Sequence, residues 1–101
     1  MSLSAIIEEI KKDATQNRQQ EREVLQEIAA VTSPEFAEQA AEALDSKKHI
    51  YSFKAYLVLL GQLKELIYAG MPNCIALDAV QTGETVENIL YIWRYGKEKT
   101  Q

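Results

Sequence analysis

The chain has 101 residues, 47% of them apolar, with 11 Lys and Arg against 15 Asp and Glu, one Cys and one His. A chain this short buries about 60–70% of the surface it exposes when unfolded, which allows one modest core and argues against a deep cleft owned by a single copy. The net charge of −4 argues against a general phosphate-backbone binder, whose affinity comes from Lys and Arg displacing counterions.

The acidity belongs to the first half: residues 1–50 hold 10 acids and 6 bases, residues 51–101 five of each. The lone Cys74 has no partner for an intramolecular disulfide, and the opening residues lack the basic and apolar regions of a secretory signal. No apolar stretch is long enough to span a bilayer. Together these features predict a single all-α domain, residues 1–101, in the cytoplasm. It divides into an extended N-terminal helix over 1–32 and a helical core over 33–101.

Neither Gly nor Pro occurs between Leu3 and Val31. Positions 3, 7, 10, 14, 17, 21, 24, 28 and 31 step by four and three in turn, a heptad spacing sustained over four repeats. Its occupants are Leu3, Ile7, Ile10, Ala14, Asn17, Glu21, Val24, Ile28 and Val31, apolar at both ends and small or polar between. A helix this long spans roughly 40 Å, more than a compact domain of this mass is wide, so part of it should protrude or meet another chain. Residues 11–23 have Ala14 as their only apolar member and read as solvated helix or a bend. Asn17 at a seam position is the kind of residue that fixes register in a paired coil. The plainer reading is a surface helix whose central turns face water.

Thr32 and Glu35 are spaced for a capping box, Val31 and Phe36 for a hydrophobic staple, and Pro34 suits a first helical turn. A second helix is therefore expected from about residue 33. It carries Phe36, Ala37, Ala40, Ala41 and Leu44 on one side and Glu35, Glu38, Glu42 and Asp45 on the other. A break is expected around residues 45–48, with Asp45 or Ser46 as the next cap. Residues 49–69 are the most apolar stretch and predict a central helix surrounded by others, stopped by Gly70 and Pro72. Asn73 is placed to cap a short helix ending at Thr82 and Gly83. A last helix follows from about Glu84 to Tyr95, with Val86, Ile89, Leu90 and Trp93 on one stripe and Gly96 as its stop. Helices two and five are expected to pack on the central one.

No arrangement of nucleophile and base stands out, since Cys74 and His49 are far apart in sequence and neither sits in a known signature. The acids at 35, 38, 42 and 45 line one helix face, as in the Glu-rich helices of all-α nucleotide pyrophosphohydrolases. Such a magnesium site needs a second acidic helix, and the central helix supplies only Glu65. Residues 74–95 have Ala79, Gly83, Ile89 and Ile92 where a helix-turn-helix wants a small residue, a turn glycine and two core residues. Asp78, Thr82 and Glu84 stand where it wants hydrophobes, and Arg94, Lys97 and Lys99 come only at its end.

The stretch Asn88-Ile89-Leu90-Tyr91-Ile92-Trp93-Arg94-Tyr95-Gly96-Lys97 resembles a short segment of phage nucleotide-kinase-like domains. That family's His-Tyr element is missing, and the resemblance implies no function for this chain. Tyr and Trp beside Arg is also the composition of binding hot spots, and Tyr91 and Tyr95 lie one turn apart.

The function expected is therefore a non-enzymatic protein-binding or assembly module that self-associates through its first helix, as a homodimer or larger homo-oligomer. Its contact residues would be Leu3, Ile7, Ile10, Asn17, Val24, Ile28 and Val31, with Tyr91 and Tyr95 as a second patch. No cofactor or metal is expected. The alternatives are a small DNA-binding regulator using 74–95 and a metal-dependent nucleotide hydrolase using the acidic face.

Overall fold

The computed structural model describes residues 2–50 and 52–96, with backbone alone at Ile10, Asp13, His49 and Ile50. Five helices follow in order: α1 (Leu3–Val31), α2 (Pro34–Ile50), α3 (Phe53–Tyr68), α4 (Asn73–Val80) and α5 (Val86–Tyr95). No strand occurs among the described residues, so the protein is all-α with a long first helix.

Local side chains set most boundaries. Ser2 caps α1 by accepting the Ala5 N–H. At the far end Thr32 turns both its N–H and its hydroxyl back to the Ile28 carbonyl. Because that hydroxyl is engaged with α1, Ser33 rather than Thr32 caps α2, accepting the Phe36 N–H at 3.1 Å. The capping box expected between Thr32 and Glu35 is thus replaced by a cap one residue later, and Val31 stays exposed while Phe36 is buried.

The expected break at 45–48 is absent. The α2 helix runs to Ile50 and takes His49 with it, and α3 begins at Phe53, capped by Ser52 accepting the Ala55 N–H at 3.0 Å. The continuation has a tertiary cause: Lys48 Nζ reaches Glu21 of α1 at 3.5 Å and Asp45 at 3.3 Å, which ties the polar last turns of α2 to its neighbour.

Two further starts differ slightly from expectation. Asn73 is the first residue of α4, whose Ala76 N–H bonds the Pro72 carbonyl without a side-chain cap. Thr85 caps α5 through the Asn88 N–H, leaving Glu84 outside the helix.

The stop of α3 is the one foreseen. Gly70 takes φ +100°, its N–H bonds the Ile67 carbonyl, and the Met71 N–H reaches back to Leu66. This is the Schellman arrangement, and its two flanking side chains, Leu66 and Met71, are both buried.

Helices α1, α2 and α3 pack against one another as a three-helix unit, and α4 and α5 both pack on α3. The core joins Ile28, Phe36, Ala40, Leu44, Tyr56, Leu60, Leu63 and Leu66 to Met71, Ala76, Leu77, Val80 and Ile89. The small side chains of Ala37 and Ala40 are buried, as close approach of α2 to its neighbours requires. One expectation is corrected here: the second half of α1 is a full member of the core, where Ile28 is wholly enclosed and Val24 and Leu25 pack against it. A heptad stripe serves a neighbour in the same chain as well as one in another.

The first half of α1 has no such cover. Lys48 meets Glu21, and Lys64 of α3 meets Glu27 at 3.0 Å, so α2 runs antiparallel and α3 parallel to α1, and the last turn of α2 and the first turns of α3 lie beside residues 16–21. Residues 3–16 extend past that end. The principal extents are 55 × 32 × 20 Å and the radius of gyration is 16.0 Å, against about 13 Å for a compact domain of this size.

Replacing a wholly enclosed branched side chain should cost far more than replacing one on the overhang. Ile28→Ala is expected to lower unfolding free energy by about 2–5 kcal/mol, and Leu3→Ala by less than about 0.5 kcal/mol at low protein concentration. Urea titrations showing equal losses at the two positions would contradict this division of α1.

Candidate functional site

The site with the clearest chemical character is the overhang of α1. Its seam face carries Leu3, 73% exposed, and Ile7, 43% exposed, with Ile6 beside them and Ala14 and Asn17 further along. The side chain of Ile10, expected on the same face, lies outside the described residues. This stripe is continuous with the face that packs Val24 and Ile28 into the core. Among the expected contact residues, Leu3 and Ile7 are presented to solvent, Asn17 and Val24 are half-buried, and Ile28 is internal. Val31 is exposed at the opposite end of α1, separate from the overhang. Ile6 was missed by the heptad count, though its place next to Ile7 is the flanking position that widens a seam.

Where α2 ends and α3 begins, the overhang meets a recess of about 450 Å³ lined by Gln16, Asn17 and Gln20 of α1 and by Lys54, Leu57 and Val58 of α3. Val58 is 58% exposed although it sits in the most apolar helix. Above the recess lies a polar collar. Lys48 bridges Glu21 and Asp45, and its ammonium stands 4.4 Å from the Tyr56 ring centroid and 5.7 Å from that of Phe53. The Phe53 and Tyr56 rings meet edge to face with centroids 5.6 Å apart. Tyr56 is wholly enclosed, and its hydroxyl lies beside Glu21 without a hydrogen bond of good geometry. Burial above all, then the Glu21 carboxylate, then the charge of Asp45 raise the pKa of this phenol well above its usual value.

A second apolar surface lies between α4 and α5, a cleft of about 460 Å³ that includes Met71, Ile75, Ala79, Ile89, Ile92 and Trp93. Trp93, expected in the core stripe, is 40% exposed and leans on α3's terminal turn, 3.8 Å from where a side chain on Gly70 would begin. Tyr91 is half-buried and Tyr95 is 63% exposed, their rings 4.7 Å apart. The pair forms a small aromatic patch beside Arg94, at the far end of the chain from the overhang in sequence.

The features behind the alternative readings stand apart from one another. Glu35, Glu38, Glu42 and Asp45 are exposed along α2, and among the described residues no group of three or more His, Cys, Asp or Glu could hold a metal ion. At the start of α5, Glu84 and Glu87 are exposed and would meet phosphates with like charge. Lys97 and Lys99 lie outside the described residues. Cys74 is exposed in the first turn of α4. No helix among the described residues is long and apolar enough to cross a membrane. Comparison with known protein families, curated proteins and solved structures finds no match for this chain.

The collar yields a pH test. In the unfolded chain Tyr56 releases its proton near pH 10, whereas the folded protein holds it to higher pH, so unfolding becomes more favourable as pH rises above about 10. Tyr56→Phe is expected to flatten that alkaline slope. At pH 7 it should be neutral or stabilising by up to about 1 kcal/mol, because it removes a buried hydroxyl without a partner. Denaturation curves with an unchanged slope, or a loss above about 2 kcal/mol at pH 7, would refute this account.

Proposed function

We propose that this protein is a non-enzymatic assembly module that associates with itself through the first half of α1. One observation carries the reading: Leu3, Ile6 and Ile7 stand in water on a face that, two turns beyond the collar, is core. Contiguous exposed apolar surface on a small protein marks an interaction site, and a helix offering a 4-3 stripe is suited to another helix. An isolated helical projection of this length is marginal in water, and cover from a neighbour would stabilise it. The collar supports the same reading, because it keeps the overhang's root attached to a folded body.

The DNA-binding reading has acids at the approach to its recognition helix, and the hydrolase reading has dispersed carboxylates on one exposed face. Neither has an arrangement of side chains that favours it over association.

Sedimentation equilibrium is expected to show a dimer or larger oligomer for the unaltered protein. Ile7→Asp should shift it to monomer, weakening association at least tenfold, while the thermal unfolding of the monomeric body persists. A charge there costs nothing in a monomer and is strongly unfavourable in a closed seam. A chain that stays monomeric at the highest attainable concentration overturns the proposal, as does an oligomer indifferent to Ile7→Asp.

A further inference from the structure

The geometry points to a second copy of this chain docked antiparallel on the overhang, so that its α1 tip approaches the recess formed by Asn17, Gln20, Leu57 and Val58. This rests on the self-association just proposed and adds its direction. Three observations bear on it.

The first is steric. From about residue 17 onward, the seam face of α1 is taken by the chain's own α2 and α3, with Lys48 on Glu21 and Lys64 on Glu27. A second α1 laid parallel along the seam of residues 3–16 runs into the last turn of α2 and the first turn of α3. Laid antiparallel, it finishes where those helices begin, and each α1 is then covered by its own α2 and α3 over one half and by its partner over the other.

The second is electrostatic. Residues 3–10 carry Glu8 and Glu9 and no base, a charge of −2, while residues 11–20 carry Lys11, Lys12 and Arg18 against Asp13, a charge of +2. Lys54 adds a further positive charge at the recess. Parallel alignment sets acid on acid and base on base. Antiparallel alignment lays each acidic segment along the partner's basic one, so the segments attract instead of repel.

The third is size. Stable interfaces engage about 20–30 residues on each side. The seam half of residues 3–16 falls well short of that by itself. Antiparallel docking adds the recess side chains of α1 and α3 to the covered surface, including exposed Val58 and Leu57 beside it. Parallel docking leaves them in water.

Small-angle X-ray scattering separates the arrangements at concentrations where sedimentation shows association. One copy is 55 Å long. An antiparallel dimer overlapping through residues 3–16 is about 90 Å long with a folded body at each end, whereas a parallel dimer is little longer than one copy. Lys11→Glu with Lys12→Glu is expected to weaken the dimer several-fold, more at low salt, and adding Glu8→Lys with Glu9→Lys should restore it. A dimer of about 55–60 Å, a larger assembly, or a charge reversal without restoration overturns the antiparallel inference while leaving self-association standing. A monomer in both measurements overturns self-association itself.

Discussion

Everything in this molecule depends on how far α2 and α3 reach along α1. A heptad face runs the length of a 29-residue helix, but its two neighbours have 17 and 16 residues and cover only the part carrying Val24 and Ile28. Covering that part builds the core, because Ile28 is wholly enclosed there and Val24 and Leu25 pack against the same cluster. Leaving the other part bare creates a region where the hydrophobic effect, acting at about 25 cal/mol per Å², still has large aliphatic groups at Leu3, Ile6 and Ile7 to act on.

The remaining helices secure this division. Helix α3 is the hub: it touches α1, α2, α4 and α5, and its C-terminal turn is closed by Gly70 and Met71 beneath Trp93. With α4 and α5 on the far side, α3 is held in place, so its first turn ends at a fixed level along α1. The recess at Asn17 and Val58 is a consequence of that level.

Much of the fold was legible in the sequence because it is written in local chemistry. Ser, Thr and Gly at helix ends act within a few residues, so the stops at Gly70 and Gly96 and the start of α2 near Pro34 could be read directly. The region 45–52 could not be read in this way. There the local pattern loses its apolar face, and what prolongs α2 is an ion pair between Lys48 and Glu21, 27 positions earlier in the chain. The site shows the same boundary. Periodicity identified Leu3, Ile7, Val24 and Ile28 as one stripe, yet it carries no information on which of them the chain itself covers. That depends on the length of α2 and α3 and on their direction, both tertiary facts. Tyr91 and Tyr95 were found as neighbours by their spacing, while the exposure of Trp93 and Val58 depends on the packing of α5 and α3 and left no periodic trace.

The polar middle of α1 takes on a different meaning once the collar is seen. Asn17 and Glu21 interrupt the stripe between two apolar blocks, and in sequence they look like a simple gap. In the structure Glu21 is three-quarters shielded and faces Lys48, whose ammonium also covers the Tyr56 ring. Sliding α1 by one heptad toward its C-terminus would bring Glu21 to the level of Ile28, taking its carboxylate away from Lys48 and into the wholly enclosed position that Ile28 fills. Sliding it the other way would set Ile28 against Lys48 and expose the base of the core. An unpaired charge in an apolar interior costs several kcal/mol, so the collar holds α1 in one register against its own neighbours. That fixed register determines how much of α1 extends past the bundle, and therefore how long a seam is offered to anything that binds there.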